Sequence, residues 1–243
     1  IVFFTRIILQ KEVFLWGHAW SRSGKNSKAE FLRFLFKKFC DGYIAYTEQQ
    51  KKELEKQLPK KNVYSASNSI YFRDEMSPIH LENDKITNFI YVGRLVKEKK
   101  ILFLIEAFKK AISFLPFDSK LIIVGSGDEL EKIKNYLSRN KLTNRVVLLG
   151  HISNIDKLKK LYSESIASVS PGYVGLSITQ SLGFGVPMII SKSEPHSPEL
   201  EAAQLGFNSD YFETDNIDSM VDVLVQFNKE KEKWILKRNK ISL

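Results

Sequence analysis

From residue 89 onward the apolar residues come in short continuous runs. Each run is followed by a stretch in which they recur every three or four positions. The runs are Phe89–Val92, Leu121–Val124, Val146–Leu149, Ile166–Val169 and Val186–Ile190. After the first, Lys100–Phe114 sets Ile101, Leu104, Ile105, Phe108 and Ile112 on one helical face. A helix to about Arg139 follows the second run, and a short one near Lys157–Tyr162 follows the third. Continuous apolar strands separated by helices predict a parallel sheet covered on both faces. Ile217 to about Lys240 reads as a closing amphipathic helix with a basic end.

Before residue 72 the same alternation is shorter. Val13–Trp16 is a strand ended by Gly17 and His18. Ser27 is the N-cap, and Glu30 the capping-box acid, of a helix that Asp41-Gly42 stops. Its residues Phe31, Leu32, Phe34, Leu35, Phe36 and Phe39 are expected to pack in this domain, with Arg33, Lys37 and Lys38 facing outward. Gly42–Tyr46 is a strand, Thr47–Leu58 a charged helix ended by Pro59, and Asn62–Ala66 a strand. Tyr71–Thr87 lacks periodicity and contains Pro78. It reads as a linker at 73–88 between a partial first domain, 1–72, and a second, 89–243.

The 243 residues have ordinary globular composition, 43% apolar and 27% charged. The net charge of +9 favours an anionic partner. Arg22–Lys38 alone carries six basic residues against Glu30. The single Cys40 excludes an internal disulfide and fits a reducing compartment. No apolar run approaches the roughly 18 residues of a membrane span. No nucleic-acid module is recognisable despite the basic balance.

Ligands of parallel α/β sheets bind at the carboxyl ends of the strands. Three loops fall on that edge: Gly93–Lys99, Gly125-Ser-Gly127-Asp128 and Ser170–Gly175. The third opens SPGYVGLSITQSLGFGVP, in which Leu176, Ile178, Leu182 and Phe184 make a short apolar helix starting near Gly175. Its first-turn N–H groups suit a phosphate. Tyr173 and Ser177 are placed to touch it, and Arg94 and Lys99 supply fixed charge from the other side. Lys97 and Lys100 read as a solvated run. His151 and His196 have no metal-ligand spacing, and no metal site is expected.

The ordered set VGRLVKEKK, LIIVGSGDELEK, VVLLGHIS and SPGYVGLSITQSLGFGVPMI resembles the C-terminal half of glycosyltransferase family 4. That family comprises retaining, nucleotide-sugar-dependent enzymes with the GT-B fold. The likeness runs from about Phe89 to Phe212, including Pro198-Glu199 and the Asn208 turn. It reaches back to VFLWGHAW, DGYIAYTEQQKKEL and VYSASNSI. The resemblance implies two Rossmann-like domains, the first incomplete and lacking its own Gly-rich loop.

The resemblance also implies roles. Gly93, Arg94 and Lys99 hold the donor diphosphate, and the backbone around Gly150–Ile152 lies beside the base. Tyr173, Gly175, Leu176 and Ser177 line the diphosphate seat, and His18 faces the transferred sugar. The family's E-x7-E pair falls on Gly172 and Gln180, with Gln180 left to contact the ribose. The donor is a UDP-, GDP- or related sugar with no further cofactor. The acceptor is a cell-surface glycan or lipid-linked precursor, as in polysaccharide, lipopolysaccharide and capsule synthesis. The chain is expected in the cytoplasm, with peripheral contact to the anionic inner face of the membrane. Two other readings stay open: a nucleotide-sugar-binding homologue without transfer, and a GT-B epimerase.

Overall fold

A computed structural model describes residues 4–20, 28–82 and 85–242, and the chain divides into two compact units between Asn68 and Ser69. The expected Ser27 N-cap and the loop before it lie outside the described residues.

The first unit opens with a π-helical turn, Phe4–Ile8, which the sequence pattern does not predict. It continues β1 (Phe14–Gly17), α1 (Lys28–Phe39), β2 (Gly42–Ala45), α2 (Glu48–Gln57) and β3 (Asn62–Ser65). The strands form a parallel sheet in the order β1-β2-β3. Thr47 caps α2, its hydroxyl accepting from the Gln50 N–H at 3.1 Å. Ala19, Tyr43, Ala45, Leu54, Leu58 and Val63 make the core, with Phe34 packed against it.

Helix α1 does not turn its aromatic face inward as expected. Phe31, Leu32, Leu35, Phe36 and Phe39 are exposed, whereas Lys37 and Glu30 are buried. The inversion is held by charge. The Lys37 ammonium meets Glu30 at 2.6 Å and donates to the Ala19 carbonyl. It also lies 5.3 Å from the Trp20 ring centroid and 5.9 Å from that of Tyr43. Burial holds its pKa below the usual lysine value.

The second unit contains β4 (Asn88–Val92), α3 (Ile101–Ala111), β5 (Leu121–Val124), α4 (Leu130–Arg139), β6 (Val146–Gly150) and α5 (Ile155–Ser163). It continues through β7 (Ser165–Ser170), α6 (Ser177–Gly183), β8 (Met188–Ser191), β9 (Ser209–Phe212) and α7 (Ile217–Lys229). All pairings are parallel, in the order β6-β5-β4-β7-β8-β9. Alternate strand residues enter opposite layers. Phe89, Tyr91, Leu121 and Ile123 pack with the residues of α3 and α7, and Ile90, Ile122 and Val124 with Leu158, Tyr162 and Phe184. Both faces are covered, which is why the strands read as unbroken apolar runs. Tyr71 and Met76, from the aperiodic segment, pack against the second layer.

Two elements differ from expectation. Ser209–Phe212 is an edge strand; with only two apolar residues it gives no run to detect. The closing helix is three pieces, Ile217–Lys229, Lys231–Leu236 (α8) and Arg238–Ile241 (α9). The breaks let Trp234 stack on Phe227, centroids 4.5 Å apart, and send Arg238 inward to the carbonyls of Ser163 at 2.8 Å and Ser165 at 2.5 Å.

Candidate functional site

The strand order reverses direction between β4 and β7: β5 and β6 are added on one side and β8 and β9 on the other. The loops after β4 and β7 therefore diverge from neighbouring strands and leave a crevice at the carboxyl edge. A cleft of about 650 Å³ lies there. Gly93, Arg94 and Lys99 line it from the loop after β4, and Tyr173, Gly175, Leu176, Ser177 and Gln180 from the loop after β7 and α6. Ile152 lines it from the loop after β6.

Two close backbone approaches shape this edge. Gly125 has φ +147°, and a Cβ there would sit 1.8 Å from the Gly93 carbonyl oxygen. The turn after β5 is thereby laid on the loop that carries Arg94, with the Leu95 N–H donating to the Ser126 carbonyl at 2.8 Å. At Gly172 a Cβ would sit 2.1 Å from the Glu98 carbonyl oxygen and 3.0 Å from the Lys99 Cα. The 3₁₀ turn Lys97–Lys99 thus occupies the space that a side chain at position 172 would need. No side chain fits there without moving that turn.

The cations meet at Tyr173. The Arg94 guanidinium donates to the Tyr173 phenol oxygen at 2.9 Å. The Lys99 ammonium donates to the Tyr173 carbonyl at 2.6 Å and lies 3.4 Å from the ring centroid. Lys99 is only 9% exposed. Burial first, then the neighbouring Arg94 charge, pull its pKa down to about 8. Among the described residues no backbone acceptor takes the N–H groups of Gly175, Leu176 or Ser177. Two side-chain cations and three backbone donors therefore border one crevice, an arrangement suited to an anion.

Gln180 is buried, its carboxamide held between two phenols. Its Oε1 accepts from Tyr162 at 3.2 Å and its Nε2 donates to Tyr71 at 2.9 Å. Gly150 is not in the cleft wall. Its φ of +68° turns the chain before His151, and its carbonyl accepts from the Gly125 N–H at 2.8 Å. His18 belongs to the first unit. Its carbonyl accepts from the Tyr43 phenol at 2.8 Å and the Arg33 guanidinium at 2.6 Å, and its ring lies 4.8 Å from that of Tyr46. Among the described residues no cluster of His, Cys, Asp and Glu could hold a metal ion.

Sequence reasoning missed several members of the site. Ile70, read with the first domain, and Tyr71, at the start of the aperiodic segment, both line the cleft. Ser153 lines it as well, although its position beside Ile152 was a usable signal, and His151, inside the Gly150–Ile152 stretch, joins them. Lys100 is half-buried and paired: it has φ +52° and bridges Glu194 and Asp215, each at 2.6 Å. His196 also belongs to the site's support, its imidazole meeting the Val174 N–H at 2.9 Å.

The family model described as glycosyl transferases group 1 matches residues 72–240. A UDP-Gal:alpha-D-GlcNAc-diphosphoundecaprenol alpha-1,3-galactosyltransferase of Escherichia coli is 29% identical over 154 residues, covering 62% of this chain and 39% of the relative. The structure of a GtfA/B complex superposes with TM-score 0.75 at 19% identity, covering 95% of this chain and 49% of the other. HepE of Anabaena in complex with UDP gives TM-score 0.72 at 16% identity, covering 98% and 68%. The chain spans about half the length or less of the first curated relatives it matches. These likenesses give the two parallel α/β units the GT-B fold class. With the family model covering more than half its length, the chain belongs to the glycosyl transferases group 1 family.

Proposed function

We propose that this chain forms the donor-binding part of a retaining glycosyltransferase. It would move a sugar from a nucleoside diphosphate sugar, preferably a UDP-sugar, to a cell-surface glycan or lipid-linked acceptor. The observation that carries the reading is the convergence of Arg94, Lys99 and the N–H groups of Gly175–Ser177 on one crevice. Breaking the bond from sugar to phosphate leaves a diphosphate that gains charge. Donors already in place for that charge lower the barrier more than they stabilise the bound donor. Arg94 and Lys99 are the residues proposed for this role, and His18 is proposed to face the transferred sugar.

The ribose would lie near Gln180 and Tyr71, and the base near the backbone of Ile152. The names of the Escherichia coli relative and of the Anabaena complex support UDP as the nucleotide. The first of these also supports a lipid-linked acceptor. Peripheral contact with an anionic membrane is favoured by the exposed phenylalanines of α1 beside Lys28 and Lys38. Flotation with anionic vesicles checks that contact, and failure to float removes it.

A second reading, binding without transfer, is favoured by Gly172, which offers only backbone where the family has a carboxylate. One experiment separates the two. A donor panel is incubated with membrane extract, and released nucleotide and extended lipid are read by mass spectrometry. Acceptor-dependent release of UDP together with a heavier lipid is expected. Bound donor with neither product leaves the binding reading, and sugar isomerisation without acceptor would support an epimerase instead.

A further inference from the structure

Tyr173 carbonyl and Val174 N–H are the two poles of one peptide group, and both are held by side chains. The oxygen accepts from the Lys99 ammonium at 2.6 Å. The N–H donates to His196 Nδ1 at 2.9 Å. His196 Nε2 lies 2.8 Å from the Ser191 carbonyl at the end of β8. The assignment of the ring follows from its neighbours. A backbone N–H only donates, so Nδ1 is bare; a carbonyl only accepts, so Nε2 carries the proton. The result is a continuous line from the Ser191 carbonyl through neutral His196 and one peptide to the buried cation. The Ser197 N–H returns to the Val174 carbonyl at 2.9 Å and closes the other side of the loop.

We propose that His196 is a positioning residue for the phosphate-binding cations, aligning the Tyr173–Val174 peptide and through it Lys99. The proposal rests on the nucleotide reading above for its ligand, but not for its geometry. A protonated ring would aim an N–H at the Val174 N–H, so the clamp holds only while His196 is neutral. The peptide would then turn and Lys99 would lose its acceptor. Two charged groups act on the ring. Glu194, from its own loop, favours the protonated form and is itself paired with Lys100. Lys99, from the turn after β4, opposes it. Burial is the largest influence and lowers the pKa, outweighing the hydrogen bond to the Ser191 carbonyl, which raises it.

The sign follows. The clamped state has the lower pKa, so its advantage is complete above the ordinary histidine value of about 6.5 and is lost as pH falls below it. The probe is UDP, titrated calorimetrically against wild type, His196→Leu and His196→Asn at about pH 7.5 and 5.5. Asparagine Oδ1 can take the place of Nδ1 as acceptor and does not titrate. His196→Leu should bind about tenfold more weakly at the higher pH, the scale of one charge-assisted hydrogen bond. His196→Asn should recover most of that loss.

Acidification should weaken wild type more than His196→Asn. The terminal phosphate, with its own pKa of about 6, weakens both equally. A ligand-free reading accompanies this: Lys99 acylation by an amine reagent, followed by peptide mass spectrometry. It should quicken severalfold in His196→Leu and not in His196→Asn. Equal affinity of wild type and His196→Leu, or an equal acid response of wild type and His196→Asn, overturns the proposal. So does unchanged Lys99 labelling. If wild type does not bind UDP but the labelling still responds, the nucleotide reading fails and the clamp stands. If His196→Leu does not fold, the comparison of wild type with His196→Asn decides.

Discussion

Lys99 gives the sharpest prediction, because its charge is needed and its burial works against that charge. In the free protein its pKa is pulled down to about 8. A bound diphosphate supplies negative charge beside the ammonium and raises that value. A group whose pKa rises on binding contributes fully below its free pKa and loses the contribution as pH climbs through the bound one. With a free pKa of about 8, roughly nine-tenths of Lys99 is charged at pH 7 and about one-tenth at pH 9. The apparent dissociation constant for UDP should rise about tenfold over that interval, or about 1.4 kcal/mol. The UDP terminal phosphate, with a pKa near 6, is already ionised there and adds little. Calorimetry in two buffers of different ionisation heat should show proton uptake on binding at about pH 8. Lys99→Arg should flatten the profile, and Lys99→Met should abolish most binding. A constant affinity from pH 7 to 9 with no proton uptake would show that the Lys99 charge plays no part in holding the diphosphate.

Arg94→Ala should weaken UDP binding by about 1.5–3 kcal/mol, the value of hydrogen bonds to a charged partner, and unchanged affinity in a titration would exclude Arg94 from the seat. Gly172→Ala should lower stability by about 1–3 kcal/mol by forcing the Lys97–Lys99 turn away, with denaturant midpoints as the check; an unaltered midpoint would show that the turn yields freely. Lys37→Met should destabilise the first unit by about 1–3 kcal/mol, since it removes the buried cation 2.6 Å from Glu30 and leaves that carboxylate to Arg33 at 3.5 Å. Thermal unfolding followed by the fluorescence of Trp16 and Trp20 reads that loss, and no change would mean the inverted polarity of α1 costs little.

The second unit was legible because its strands are buried on both faces. Leu121–Val124 and Phe89–Val92 have nothing but apolar residues to show, and the helices between them keep one clear stripe. β9 was not legible, since an edge strand such as Ser209–Phe212 needs fewer apolar positions. The breaks in the closing helix depend on Arg238 finding two distant carbonyls, a tertiary event with no local mark. Helix α1 misled because Lys37 and Glu30, seven positions apart, pair in the interior and take the place apolar residues usually fill. At the site, Arg94 and Lys99 announced themselves by charge and loop position. Tyr71 did not, because a tyrosine in an aperiodic stretch has no periodicity to betray its burial. His196 was hidden for a different reason: its role lies in a peptide group, and backbone partners leave no pattern in side-chain sequence.

Arg94, Lys99 and the start of α6 are proposed to hold one pyrophosphate between them. A crystal structure with UDP tests it most directly. The β-phosphate should lie within hydrogen-bond distance of the Arg94 guanidinium, the Lys99 ammonium and an N–H of Gly175–Ser177, with the Tyr173 phenol moved off Arg94. UDP ordered elsewhere, or lying in the cleft with its phosphates directed away from both cations and Tyr173 still bonded to Arg94, would contradict it.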